Sequence, residues 1–117
     1  MATIVLIGAL DTKGAEYAYV RDRLRERGLD TILVDAGVLG APTVTPEITR
    51  EEIAGAAGMS LAALVAAADR GRSIAVMADG AKAITRRLFA EGRLDAILGL
   101  GGSGGSTVTA YCSALPR

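Results

Sequence analysis

The chain has 117 residues, half of them apolar and drawn from Ala, Leu, Ile and Val rather than aromatics, which suits one domain built on parallel strands under Ala-rich helices. Thirteen basic and thirteen acidic side chains cancel, which excludes the global field that holds a nucleic acid or an anionic membrane. No histidine is present, so imidazole bases, Ser/His/Asp and Cys/His nucleophile systems and the commonest zinc ligand are excluded, leaving chemistry to Asp, Glu, Lys, Ser, Thr or an oxygen-held metal.

Residues 3–7, Thr3-Ile4-Val5-Leu6-Ile7, form a run of β-branched residues and Leu without alternation, the pattern of a strand buried on both faces. The run lacks a basic lead-in and soon meets Asp11 and Lys13, so it predicts neither a membrane span nor a signal peptide. Cys112 is the single cysteine and has no partner for an internal disulfide; a reducing, cytoplasmic setting is the expectation. Tyr17, Val20 and Leu24 recur at helical spacing over residues 14–27, and Gly28 marks the stop. Thr31-Ile32-Leu33-Val34 predicts a second buried strand that delivers Asp35 and Gly37 to its carboxyl end. Residues 41–46 read as a loop. Thr49-x-x-Glu52 is a capping box opening a short helix toward Ala57.

A further helix is expected over residues 60–69, closed by Gly71, and then a longer one with Ile74, Met77, Ala81, Ile84 and Leu88 as its apolar stripe. Gly80 interrupts that stripe at a cost of about 1 kcal/mol against Ala, and Gly92 ends the helix. Ala96-Ile97-Leu98 predicts a third strand, and residues 107–115 a last helix that Pro116 stops. Right-handed crossovers place three such strands most simply in the order 2-1-3, giving a Rossmann-like, three-layer α/β/α fold. The winding then reverses between strands one and three, so the segments that follow them open onto one crevice.

Two unusual segments meet there. Gly8-Ala9-Leu10-Asp11-Thr12-Lys13-Gly14-Ala15-Glu16 offers a carboxylate, a hydroxyl and an ammonium at a helix start, where unpaired N–H groups favour anions. It is not a Walker loop, because Lys13 precedes Gly14 and no Gly-Lys-Ser/Thr occurs. A polar turn with an Asp cap is the structural alternative. The second segment is Gly99-Leu100-Gly101-Gly102-Ser103-Gly104-Gly105-Ser106. Its five glycines exclude side chains, as a backbone cradle for phosphates requires, with Ser103, Ser106 and Thr107 as added donors. A hinge or close backbone packing is the alternative. Asp35, beside the same crevice, is placed to take a ribose hydroxyl or help hold Mg²⁺, or else serves as a turn or cap residue.

These segments, with Asp35-Ala36-Gly37-Val38-Leu39-Gly40, Ile48-Thr49-Arg50-Glu51-Glu52 and Ala90-Glu91-Gly92-Arg93-Leu94-Asp95, together resemble the ATP-binding domain family named after a plant tobamovirus-resistance protein. That family is long catalogued in bacteria as uncharacterised. The resemblance implies ATP, with or without Mg²⁺, in an α/β domain, and for the plant protein contact with viral replication proteins; it implies no established reaction. Family members are longer, so residues 1–117 are expected to be the N-terminal part of the nucleotide-binding domain, with an open sheet edge that favours a homo-oligomer. The expected nucleotide site is Asp11, Thr12, Lys13, Gly14, Asp35, Gly37, Gly101, Gly102, Ser103, Gly104, Gly105 and Ser106, with Asp11 positioning Mg²⁺; catalytic residues are unassigned. Two other readings stand beside it. One is an enzyme for a phosphorylated or carboxylated metabolite whose catalytic groups lie outside this chain, and the other is a protein-interaction module that a ligand stabilises.

Overall fold

The structure, a computed structural model, describes residues 2–37, 40–67 and 70–99. Runs of β-branched residues and Leu form the parallel strands β1 (Thr3–Gly8), β2 (Asp30–Asp35) and β3 (Ala96–Leu98). Their order is β2-β1-β3, as the sequence predicts. The register pairs Thr3 with Asp30 through Gly8 with Asp35, and Ile4 with Ala96 through Leu6 with Leu98.

Lack of alternation in these strands means that both faces are covered. Val5, Ile7, Ile32 and Val34 face helices α2 (Arg50–Ala56) and α4 (Arg70–Ala90) through Ile53, Met77, Ala78, Ala81 and Ile84. Leu6 and Leu33 face the other way, against Leu10 and Tyr17 of α1 (Leu10–Glu26). This is the three-layer arrangement, with α3 (Leu61–Ala67) packed on α2 and α4. Both faces of the sheet are lined by large side chains removed from water, each worth roughly 1.5–3 kcal/mol.

The predicted helix stops hold: Gly28 and Gly92 have φ of 79° and 72°, the left-handed turn that ends a helix without Cβ strain. The capping box of Thr49 and Glu52 closes in both directions. Two boundaries differ from expectation. Gly71 lies inside α4 rather than between helices; in a first turn, where backbone N–H groups have no helical partner, a glycine disrupts little. Helix α1 begins at Leu10, not Gly14, because Leu10 is fully buried and draws the chain into the core as soon as β1 ends. Gly80 gains a reason: a Cβ there would collide with the carbonyl oxygen of Ile53 where α4 crosses α2.

The outer edge of β2 is covered by residues 47–48: Val34 bridges Ile48, the Asp35 amide donates to Ile48 O at 3.0 Å, and Glu47 N donates to Leu33 O at 2.9 Å. Strand β3 pairs only with β1 among the described residues. No helix among the described residues is long and apolar enough to cross a membrane. The expected last helix over 107–115, Cys112 and the glycines from Gly101 onward lie outside the described residues.

Candidate functional site

Immediately after β1 the chain turns at Ala9 and enters α1, so Asp11, Thr12, Lys13 and Gly14 occupy the first turns of a helix instead of a loop. That first turn is set apart from the rest. Lys13 has φ −121° and ψ 16°, a break in the helix, and Thr43 provides the wedge: its backbone N and its Oγ1 both donate to Leu10 O, at 3.1 and 3.0 Å. Inserted donors of this kind bend helices by competing for the carbonyl. Gly14 makes room for the wedge, because a Cβ there would collide with Thr43 Oγ1. Its glycine identity therefore has a packing explanation. Lys13 and Thr12 are exposed, and Thr12 Oγ1 reaches Ala9 O at 3.5 Å.

Asp35 ends β2 and is 1% exposed. Its Oδ1 accepts the Leu10 amide at the start of α1 at 3.3 Å and the Gly37 amide at 2.9 Å. The second bond is the local Asp-to-backbone turn that favours this residue type at strand ends. Its Oδ2 is buried and accepts no hydrogen bond. Burial raises the carboxyl above its ordinary 3.8, against the lowering effect of the Gly37 and Leu10 amides and then of the Arg50 guanidinium, while the Asp11 charge adds to the rise. A buried carboxylate with one oxygen unpaired is unfavourable unless something else meets it.

Asp11 closes the other side of this cluster. Its Oδ2 accepts the Gly40 amide at 3.0 Å, and its carboxylate lies so close to Gly37 that a Cβ there would stand 2.7 Å from Asp11 Oδ1. Arg50 donates from Nη1 to the Gly40 carbonyl, so Gly40 is held on one side by Asp11 and on the other by Arg50. Arg50 Nε is buried without a hydrogen bond, 3.6 Å from Glu51 Oε1, which is beyond hydrogen-bonding range. Asp11, Asp35 and Gly37 are thus brought together as expected, and Lys13 and Thr12 lie on the adjoining turn. Gly101, Gly102, Ser103, Gly104, Gly105 and Ser106 lie outside the described residues; Gly99, just past β3, is half-buried.

Arg50, Gly40 and Thr43 escape the sequence reading. Arg50 carries one usable signal: it is a cation in the first turn of a helix, where the helix dipole favours acids, so its position asks for a compensating anion. Glu51 Oε1 lies 3.6 Å from Arg50 Nε, and the Arg50 charge also acts on the Asp35 carboxyl. The electrostatic character of the α1 start also differs from expectation. Two carboxylates already sit against its positive end, a favourable placement for them and an unfavourable one for a bare phosphate. This end of the crevice suits hydrogen-bond donors or a cation.

Over residues 2–116 the chain matches the family described as "Uncharacterised protein family (UPF0261) N-terminal domain". It is similar to a UPF0261 protein of Clostridium tetani, with 40% identity over 92% of this chain and 27% of the relative. It is also similar to UPF0261 proteins of Brucella suis, 32% identical over 96% and 27%, and of Rhizobium meliloti, 36% identical over 99% and 28%. The chain spans a little over a quarter of the length of these curated relatives.

Proposed function

The chain belongs to the UPF0261 family as its N-terminal domain, and on that premise we propose that it binds a nucleotide, ATP, across the carboxyl ends of its parallel strands. The observation that carries this reading is Asp35: a carboxylate 1% exposed, fixed by two backbone amides and left with one unpaired oxygen. It ends β2 opposite Gly8 of β1, the strand at whose other side the 2-1-3 sheet reverses its winding, and open α/β sheets bind ligands at such strand ends. An unpaired buried acceptor there suits the hydroxyl of a sugar. The glycine run from Gly101 to Gly105, with Ser103 and Ser106, would take the phosphates, and Lys13 would neutralise them. ATP is the nucleotide named by the resemblance to the tobamovirus-resistance family.

Among the described residues no group of three or more Asp, Glu, Cys or His side chains is placed to hold a metal. Asp11 suits instead a Mg²⁺ that arrives with the nucleotide, since that ion needs only one or two carboxylates beside phosphate oxygens and water. Bound there, it would screen phosphate charge from the two aspartates. The residues then divide the work: Asp35 orients the sugar, Lys13 and the glycine run hold the phosphates, and Gly37 keeps the backbone low enough for Asp11 to reach the same space. Hydrolysis is a separate claim, which would depend on Asp11, Glu16 or residues outside this chain. A cytoplasmic setting fits a nucleotide ligand.

Calorimetry with ATP, ADP, NAD and small phosphorylated acids separates the candidates. Saturable binding of ATP that exceeds that of the phosphorylated acids supports the reading. Preference for a phosphorylated acid over every nucleotide would replace it with that of an enzyme domain for such a metabolite.

A further inference from the structure

Two charged groups of the cluster, the buried Asp35 and the partly exposed Arg50, each keep one buried polar atom without a hydrogen bond, the acceptor Asp35 Oδ2 and the donor Arg50 Nε. Both reach groups that Asp11 also touches: Asp35 accepts the Gly37 amide, Arg50 donates to the Gly40 carbonyl, and the Asp11 carboxylate lies against Gly37 and accepts the Gly40 amide. Yet neither hydrogen-bonds the other. A complementary donor and acceptor, each without a hydrogen bond, are satisfied together by a group that donates to one and accepts from the other. A hydroxyl is the simplest such group. A carboxylate ligand would face Asp35 and Asp11, and an ammonium would face Arg50, so the pair selects for a neutral group with both capacities.

We propose that Arg50 and Asp35 form a hydroxyl-recognition pair, in which a ribose hydroxyl of the ligand donates to Asp35 Oδ2 and accepts from the Arg50 guanidinium. This rests on the nucleotide reading and makes Arg50 a specificity-determining residue of the same site. The clamp on Gly40 gives Arg50 its geometry. Nη1 is held on that carbonyl, and Asp11 holds the amide of the same residue, so the guanidinium is tethered beside the cluster.

The test compares affinities of ATP, 2′-deoxy-ATP and 3′-deoxy-ATP, and of ribose 5-phosphate and 2-deoxyribose 5-phosphate, for the unaltered chain, Arg50→Gln and Arg50→Lys. The unaltered chain should prefer ATP over one of the deoxy analogues by about tenfold or more, the worth of a hydrogen bond to a charged group. Both variants should bring that ratio close to one. A merely structural Arg50 would weaken all ligands together and leave the ratio intact, and that outcome overturns the proposal. So does equal binding of ATP and both analogues to the unaltered chain, the result expected if a structural water alone bridges the pair. If no nucleotide binds while ribose 5-phosphate is still discriminated from its deoxy form through Arg50, the nucleotide reading fails and the hydroxyl pair stands. Should no probe show discrimination, the pair fails.

Discussion

At Asp35 the needs of folding and of binding diverge. Its Oδ1 closes the β2 end onto the α1 start through the Leu10 and Gly37 amides, a service that an amide oxygen performs equally well. Its charge, buried and half-paired, does nothing for the fold. Asp35→Asn should therefore keep stability within about 1 kcal/mol of the unaltered chain or raise it, measured by denaturant unfolding at neutral pH, while ligand affinity falls at least about tenfold. The pH dependence has a definite sign. Because burial raises this carboxyl above 3.8 in the fold, with Arg50 opposing and Asp11 assisting the rise, the native chain takes up a proton before the unfolded chain does. Asp35 thus contributes a stability that grows as pH falls from above its raised value toward 3.8. Asp35→Asn should lack this increment. Ligand affinity should run the opposite way in the unaltered chain, decreasing as Asp35 loses its charge.

Among the elements, the contact of α2 with α4 is sensitive to a single atom. Gly80 faces the Ile53 carbonyl so closely that a Cβ has nowhere to go, whereas Gly55, on α2, has open space around it. Gly80→Ala should destabilise by about 1–3 kcal/mol through overpacking, and Gly55→Ala should stabilise by roughly 0.5–1 kcal/mol through helix propensity and unfolded-state entropy; thermal unfolding of the pair checks both. The contrast shows what a sequence carries. Strands were legible because a run such as Ile4-Val5-Leu6-Ile7 has one interpretation in a parallel sheet, and helix stops because Gly28 and Gly92 supply a local backbone conformation. The start of α1 was not, since the burial of Leu10 and the wedge of Thr43 on its carbonyl arise between segments far apart in the chain. In the site, Asp11, Asp35 and Gly37 were found from their residue types at strand ends. Arg50 was missed because it reaches a backbone carbonyl ten residues earlier and acts by its charge on Asp35 of another element.

On the scale of the whole molecule, the two sheet edges differ. Residues 47–48 cover β2, and β3 has a partner on one side only among the described residues. Bare edges pair with other chains, so this chain, taken by itself, should self-associate through β3. Sedimentation would show a concentration-dependent dimer or larger species, and a strictly monomeric, folded species would contradict the expectation. In the relatives, which are roughly three and a half times as long, further chain is available to cover that edge, so their assembly is a separate question. The central claim is that the crevice over the strand ends is a nucleotide site organised by Asp35. Its most direct test is calorimetric titration of the chain with Mg-ATP, side by side with Asp35→Asn. Saturable binding that weakens at least about tenfold in a variant of unchanged stability is the predicted result; no saturable binding, or equal affinity in both, would contradict it.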